Sequence, residues 1–157
     1  PVWVELGLQT IHERTADFIR RGYELPTYDT ALKKLKDRGL YVITHVILGL
    51  PGETEKDMIE TVKHAVKAGT DGIKITVLHV LKNTDLAEDY LEHKFEYLSM
   101  EQYFELLAKA LKVIPPEVVV HRLTGDGAKN ILIAPLWTAD KKKVHNSLRT
   151  FLENYKL

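Results

Sequence analysis

Tyr41-Val42-Ile43-Thr44-His45-Val46-Ile47-Leu48 runs directly into Gly49-Leu50-Pro51-Gly52-Glu53. The first eight residues are almost wholly apolar and rich in β-branched side chains. That pattern predicts a strand buried on both faces, as a central strand of a parallel sheet must be. The glycines and proline that follow predict a tight turn. Thr54, with Asp57 three residues on, opens a capped helix. Met58, Ile59, Val62 and Val66 fall on one face of that helix, and Gly69 ends it.

The same alternation extends in both directions. Val2 to Leu8 reads as a strand, and Ile11 to Arg21 as a helix ending at Gly22. Pro26 and a Thr27 cap start a second helix that ends at Gly39, with Ala31, Leu32 and Leu35 as its apolar stripe. Ile73 to His79 is a third strand, followed by a looser stretch from Leu81 to Leu98. Ser99 and Gln102 form a capping box for a helix reaching Lys112, which Pro115-Pro116 stops. Val118 to Leu123 is a fourth strand, Gly125-Asp126-Gly127 a turn, and Ala139 to Tyr155 a closing helix. Strands alternating with helices imply an α/β fold with a parallel sheet and right-handed crossovers. The whole chain, 1–157, reads as a single domain without repeats or linkers. A complete eightfold barrel takes about 250 residues. At 157 residues, opening inside a strand, this sequence is expected to be a partial parallel (β/α) barrel from a longer chain.

Composition narrows the function. Lys+Arg and Asp+Glu both number 22, so bulk charge favours neither nucleic acid nor a membrane surface. No apolar run is long enough to span a bilayer, and no signal peptide is recognisable, so a cytoplasmic protein is expected. Lys141-Lys142-Lys143 reads as a solvated helix face. With no cysteine there is no disulfide, thiol nucleophile or thiolate metal site. Dinucleotide, P-loop, zinc-protease and serine-hydrolase motifs are absent.

In parallel sheets ligands bind at the carboxyl ends of the strands. Those ends carry Gln9-Thr10, Gly49 to Glu53, His79 to Asn83 and Arg122 to Asp126. Strand parity puts Glu5, Gly7 and Gln9 on one face of their strand, with His45, Ile47 and Gly49, then Lys74, Thr76 and Leu78, on the corresponding faces of theirs. Ile73, Ile75 and Val77 face the helices. Glu5, His45 and Lys74 are therefore expected to form an inward polar layer. Two other readings stand beside that one. Glu5 and Lys74 are a structural ion pair, or Lys74 is the amine nucleophile of a lyase.

Glu5-Leu6-Gly7-Leu8-Gln9-Thr10, Arg21-Gly22 and His45 to Glu53 resemble the fourth and fifth strands of radical S-adenosylmethionine (radical SAM) enzymes. The similarity is to the branch holding oxygen-independent coproporphyrinogen oxidase and the Elongator catalytic subunit. It continues through Leu78 to Lys82, His121 to Asp126 and Ala134 to Trp137, spanning essentially the whole chain. The resemblance implies S-adenosylmethionine and a 4Fe-4S cluster as cofactors of the intact enzyme. By position, Gln9 and Arg21 would contact the ribose and the methionine carboxylate. Ile47 and Gly49 would lie against adenine and ribose, and the backbone of Val80 would meet the adenine. His45 stands where coproporphyrinogen oxidase has an acidic residue for the ribose hydroxyls. The CxxxCxxC loop that ligates the cluster is expected upstream of Pro1, so this chain alone is expected neither to hold the cluster nor to cleave the cofactor. The alternative is a self-contained α/β binding module without catalysis. The open edge at Val2–Leu8 predicts a homo-oligomer or other assembly that covers it.

Overall fold

The computed structural model describes residues 2–125 and 127–155. The elements are β1 (Trp3–Gln9), α1 (Glu13–Phe18), α2 (Leu25–Lys36), β2 (Tyr41–Leu48), α3 (Glu55–Lys67), β3 (Gly72–Val77), β4 (Val80–Leu81), α4 (Asp85–Leu91), α5 (Met100–Leu111), β5 (Val119–Arg122), β6 (Leu132–Ala134) and α6 (Lys141–Tyr155). A 3-10 turn, Leu136–Ala139, follows the cis Ala134–Pro135 bond. β1, β2, β3 and β5 form one sheet in the order β1-β2-β3-β5, every pairing parallel. This is the predicted parallel α/β sheet, with β1 at an open edge.

The register explains the burial. His45 pairs with Gly7 on one side and Lys74 on the other. Val42, Val46, Leu48, Ile73, Ile75 and Val77 pack under the helices. Thr44 joins them, hydrogen-bonded to Tyr28 at 2.7 Å and to Thr70 at 2.9 Å. Burial pushes the Tyr28 phenol up to about 12, the Thr44 hydrogen bond opposing it. α3 and α5 start at the predicted capping boxes, Thr54 with Asp57 and Ser99 with Gln102.

Three local expectations are corrected. The first helix is shorter than Ile11–Arg21: it ends at Phe18, because Arg20 adopts a left-handed conformation (φ 55°) and Arg21 folds back under β1. Thr27 is not a cap. α2 starts at Leu25 after Glu24, and the Leu25 N–H donates to the Glu13 carboxylate at 2.6 Å. The stretch from Leu81 to Leu98 is not loose throughout. It contains α4, and β4 just before it pairs antiparallel with β6. β6, three residues long, carries no period that sequence reading can register. The predicted turn at 125–127 includes Asp126, which lies outside the described residues.

Candidate functional site

Three predicted site residues meet in one cavity. Gln9, Arg21 and Ile47 line a space of about 310 Å³ at the carboxyl ends of β1 and β2, together with Ile19, Tyr23, Leu50, Leu78 and Leu86. Gln9 ends β1 in a left-handed conformation (φ 57°), at a register shift between Gly7 and Gln9. A Cβ on Gly7 would collide with the Gln9 amide, so glycine there makes room for the side chain to fold back. Tyr23 holds the arrangement from the other side. Its hydroxyl donates to the Gly7 carbonyl and lies 3.4 Å from Gln9 Oε1, while its ring lies under the Arg21 guanidinium at 4.9 Å.

Arg21 is largely committed to the fold. Its side chain is 2% exposed. Nε donates to the Tyr23 carbonyl at 2.8 Å. Nη1 donates to the carbonyls of Leu8 (3.3 Å) and Thr10 (2.6 Å), and Nη2 to Glu13 at 3.0 Å. An arginine has five N–H donors, so one remains for a ligand. A two-pronged grip on a carboxylate would have to displace one of these bonds, which the sequence alone gave no sign of.

His45 lies elsewhere on the same sheet face, one polar layer below. Glu5, His45 and Lys74 converge there as predicted: His45 Nε2 is 2.8 Å from Glu5 Oε2, and Lys74 Nζ donates to Glu5 Oε1. The inward polar layer and the ion pair are thus the same arrangement. Lys74 does not stand apart as an amine nucleophile, because its ammonium is tied to a carboxylate. The Lys74 hydrogen bond is the largest cause that holds the Glu5 carboxyl down at about 2; burial opposes it, and the weaker hydrogen bonds of His45 and Trp3 add to the lowering. A folded-state pKa below the unfolded one stabilises the protein above about 4.5, and that contribution is lost as pH falls toward about 2. Glu5→Gln is therefore expected to flatten the acid limb of a stability–pH curve in that window. A curve with the same acid limb as the parent would count against the role of this carboxylate.

Gly49 turns the chain out of β2 with φ 84°, a conformation that suits glycine, and its N–H lies 3.0 Å from the Met58 sulfur. Val80 is fully buried against Ala87 and Ala134, and β4 pairs there with β6, so its side chain serves the small second core. Glu53, the last residue of the turn, accepts a hydrogen bond from the Thr10 hydroxyl. Burial pushes its carboxyl up, and the Thr10 bond offsets this in part. Tyr23 was not marked as a site residue by the sequence: a single tyrosine in a loop carries no pattern.

Two family models match: the one described as Radical SAM superfamily over residues 1–65, and the Radical_SAM C-terminal domain over residues 70–154. A Bacillus subtilis (strain 168) protein named YtqA is 43% identical over 98% of this chain and 48% of its own length. YhcC of Escherichia coli (strain K12) is 35% identical over 89% of the chain and 45% of its own. A Methanocaldococcus jannaschii tRNA uridine(34) acetyltransferase is 29% identical over 83% of the chain and 25% of its own. The chain thus spans about half the length of the first two relatives. Among solved structures, Methanocaldococcus infernus Elp3 with an N-terminus deletion superposes with a TM-score of 0.88 over 99% of this chain and 37% of that one. At 24% identity that likeness speaks for the fold. With both family models placed end to end along it, the chain belongs to the radical SAM superfamily.

Proposed function

We propose that this chain forms the S-adenosylmethionine wall of a radical SAM enzyme. The observation that carries this reading is the cavity in which Gln9, Arg21 and Ile47 converge. The lining suits the cofactor: the Gln9 amide for ribose hydroxyls, the remaining Arg21 N–H and its charge for the methionine carboxylate, and Ile47, Leu50 and Leu78 as an apolar bed for adenine. His45 and Gly49 share the sheet face of Ile47 by strand parity, and on this reading the backbone of Val80 meets the adenine. When bound beside a cluster, the cofactor supplies 5′-deoxyadenosyl radical chemistry. The residues present do not fit the cluster itself, because the sequence has no cysteine, and no step is assigned through it.

Calorimetry of this chain is expected to show saturable binding of one S-adenosylmethionine. Gly7→Ala, which pushes the Gln9 amide out of place, is expected to weaken it about tenfold with little change in the unfolding midpoint. No saturable binding, or a Gly7→Ala variant that binds like the parent, would remove the reading. Iron–sulfur reconstitution followed by dithionite is expected to release no 5′-deoxyadenosine from this chain.

The edge strand β1 also calls for a partner. Val2 is 79% and Trp3 52% exposed there, and such an edge invites strand pairing. We propose that a second copy covers it in solution. Light scattering is expected to give a dimer mass, and a concentration-independent monomer would refute the pairing.

A further inference from the structure

A group of side chains beside the cofactor cavity has no place in that reading. His12 precedes α1, while Asp57 and Glu60 lie three residues apart on α3 and so share a helix face. One donor atom from each of the three lies within 4.8 Å of the others. His12 Nε2 is 3.8 Å from Asp57 Oδ1. The frame around them is fixed. The Ile11 N–H donates to Thr61 on α3 at 3.3 Å, and the His12 N–H to the Thr10 hydroxyl at 3.0 Å. Asp57 Oδ2 is held by the Thr54 N–H at 2.7 Å, which leaves Oδ1 for the imidazole side.

The charge around this group is one-sided. Asp57 and Glu60 face the imidazole, and the Glu53 carboxylate lies close enough to interact with both His12 and Asp57. Glu53 Oε2 is buried without a hydrogen bond of ordinary geometry. The cation nearest in contact is Lys56, paired with Glu60 at 3.8 Å but 83% exposed. Exposed pairs of that kind contribute little and release easily.

We infer that His12, Asp57 and Glu60 form a divalent-cation site that ties the β1–α1 turn to helix α3. One imidazole nitrogen and two carboxylate oxygens favour a borderline first-row ion such as Zn²⁺ or Co²⁺ over Ca²⁺. Bonds of about 2.0–2.2 Å put ligand atoms about 3 Å apart. The donors close to that spacing by a rotamer change at Glu60 and by exchanging the 3.1 Å contact of His12 Nε2 with the Asp57 carbonyl for the metal. Water fills the remaining positions. The bound ion fixes the turn that follows Gln9, and so stiffens one wall of the cavity without entering it.

The test is a Co²⁺ titration of the chain followed by visible absorption, with Zn²⁺ calorimetry alongside. One ion per chain is expected, and His12→Ala and Glu60→Ala are each expected to lower affinity about tenfold or more. Glu60→Ala should keep the parent unfolding midpoint in chelator, because its pairing is with the exposed Lys56, while His12→Ala should lower it slightly through loss of the 3.1 Å contact with the Asp57 carbonyl. Absence of saturable binding up to about 1 mM ion, or binding that survives both substitutions, would overturn the site. These readouts do not involve S-adenosylmethionine, so the cofactor reading and the metal site stand or fall separately.

Discussion

Replacing Arg21 by Met is expected to lower the free energy of unfolding by about 3 kcal/mol. The buried guanidinium makes four hydrogen bonds, three of them to main-chain carbonyls, of Leu8, Thr10 and Tyr23. A typical hydrogen bond contributes about 1 kcal/mol, and more when the donor is charged and the acceptor is left unsatisfied. Met fills the volume but donates nothing, so the carbonyls at the end of β1 lose their partners. The Glu13 carboxylate adds little to this sum, since it is 46% exposed and hydrates when freed. Urea unfolding measures the loss directly, as a midpoint lower by about 1–2 M for a chain of this size. Arg21→Lys should fall between, because one ammonium cannot span all four acceptors. If Arg21→Met were within about 0.5 kcal/mol of the parent, the side chain would be available for a ligand after all.

Gly49→Val is the second large effect, about 3–4 kcal/mol of destabilisation from two separable causes. The first is conformational. At φ 84° a β-branched residue is strained, by about 2 kcal/mol or more. The second is steric: a Cβ at this position lies 3.0 Å from the Leu98 Cδ1. Gly49→Ala with and without Leu98→Ala separates the two, since the leucine truncation relieves only the contact. Coupling near zero in that double-mutant cycle would show that backbone strain alone sets the cost. The same substitutions test whether the 49–53 turn can shift without loss of S-adenosylmethionine binding.

The order of elements was legible because each rests on short-range chemistry. β2 announces itself through eight consecutive residues suited to a doubly buried strand, and α3 and α5 through capping boxes four residues long. The face parity of Glu5, His45 and Lys74 follows from the period of two in a strand, and the parallel register then brings all three within bonding distance. What failed were the places where a long-range bond overrides local preference. α2 begins at Leu25 rather than beyond Thr27 because a carboxylate from α1 receives its first N–H. β4 and β6 exist only through pairing with each other across 50 residues of sequence, roughly a third of the chain.

The site divides in the same way. The family resemblance marked Gln9, Arg21 and Ile47 by their order along the chain, and they line one cavity. The sequence by itself determined the parallel α/β plan, the carboxyl-end location of the candidate site and the lack of any cysteine ligand for a cluster. The tertiary structure decided that Arg21 mostly braces the end of β1, that Tyr23 and Gly7 set the Gln9 amide, and that His12 meets Asp57 and Glu60. Each of those depends on side-chain reach across turns and between elements, from 11 residues apart for Arg21 and Thr10 to 45 for His12 and Asp57. Periodicity and capping carry no information about such distances.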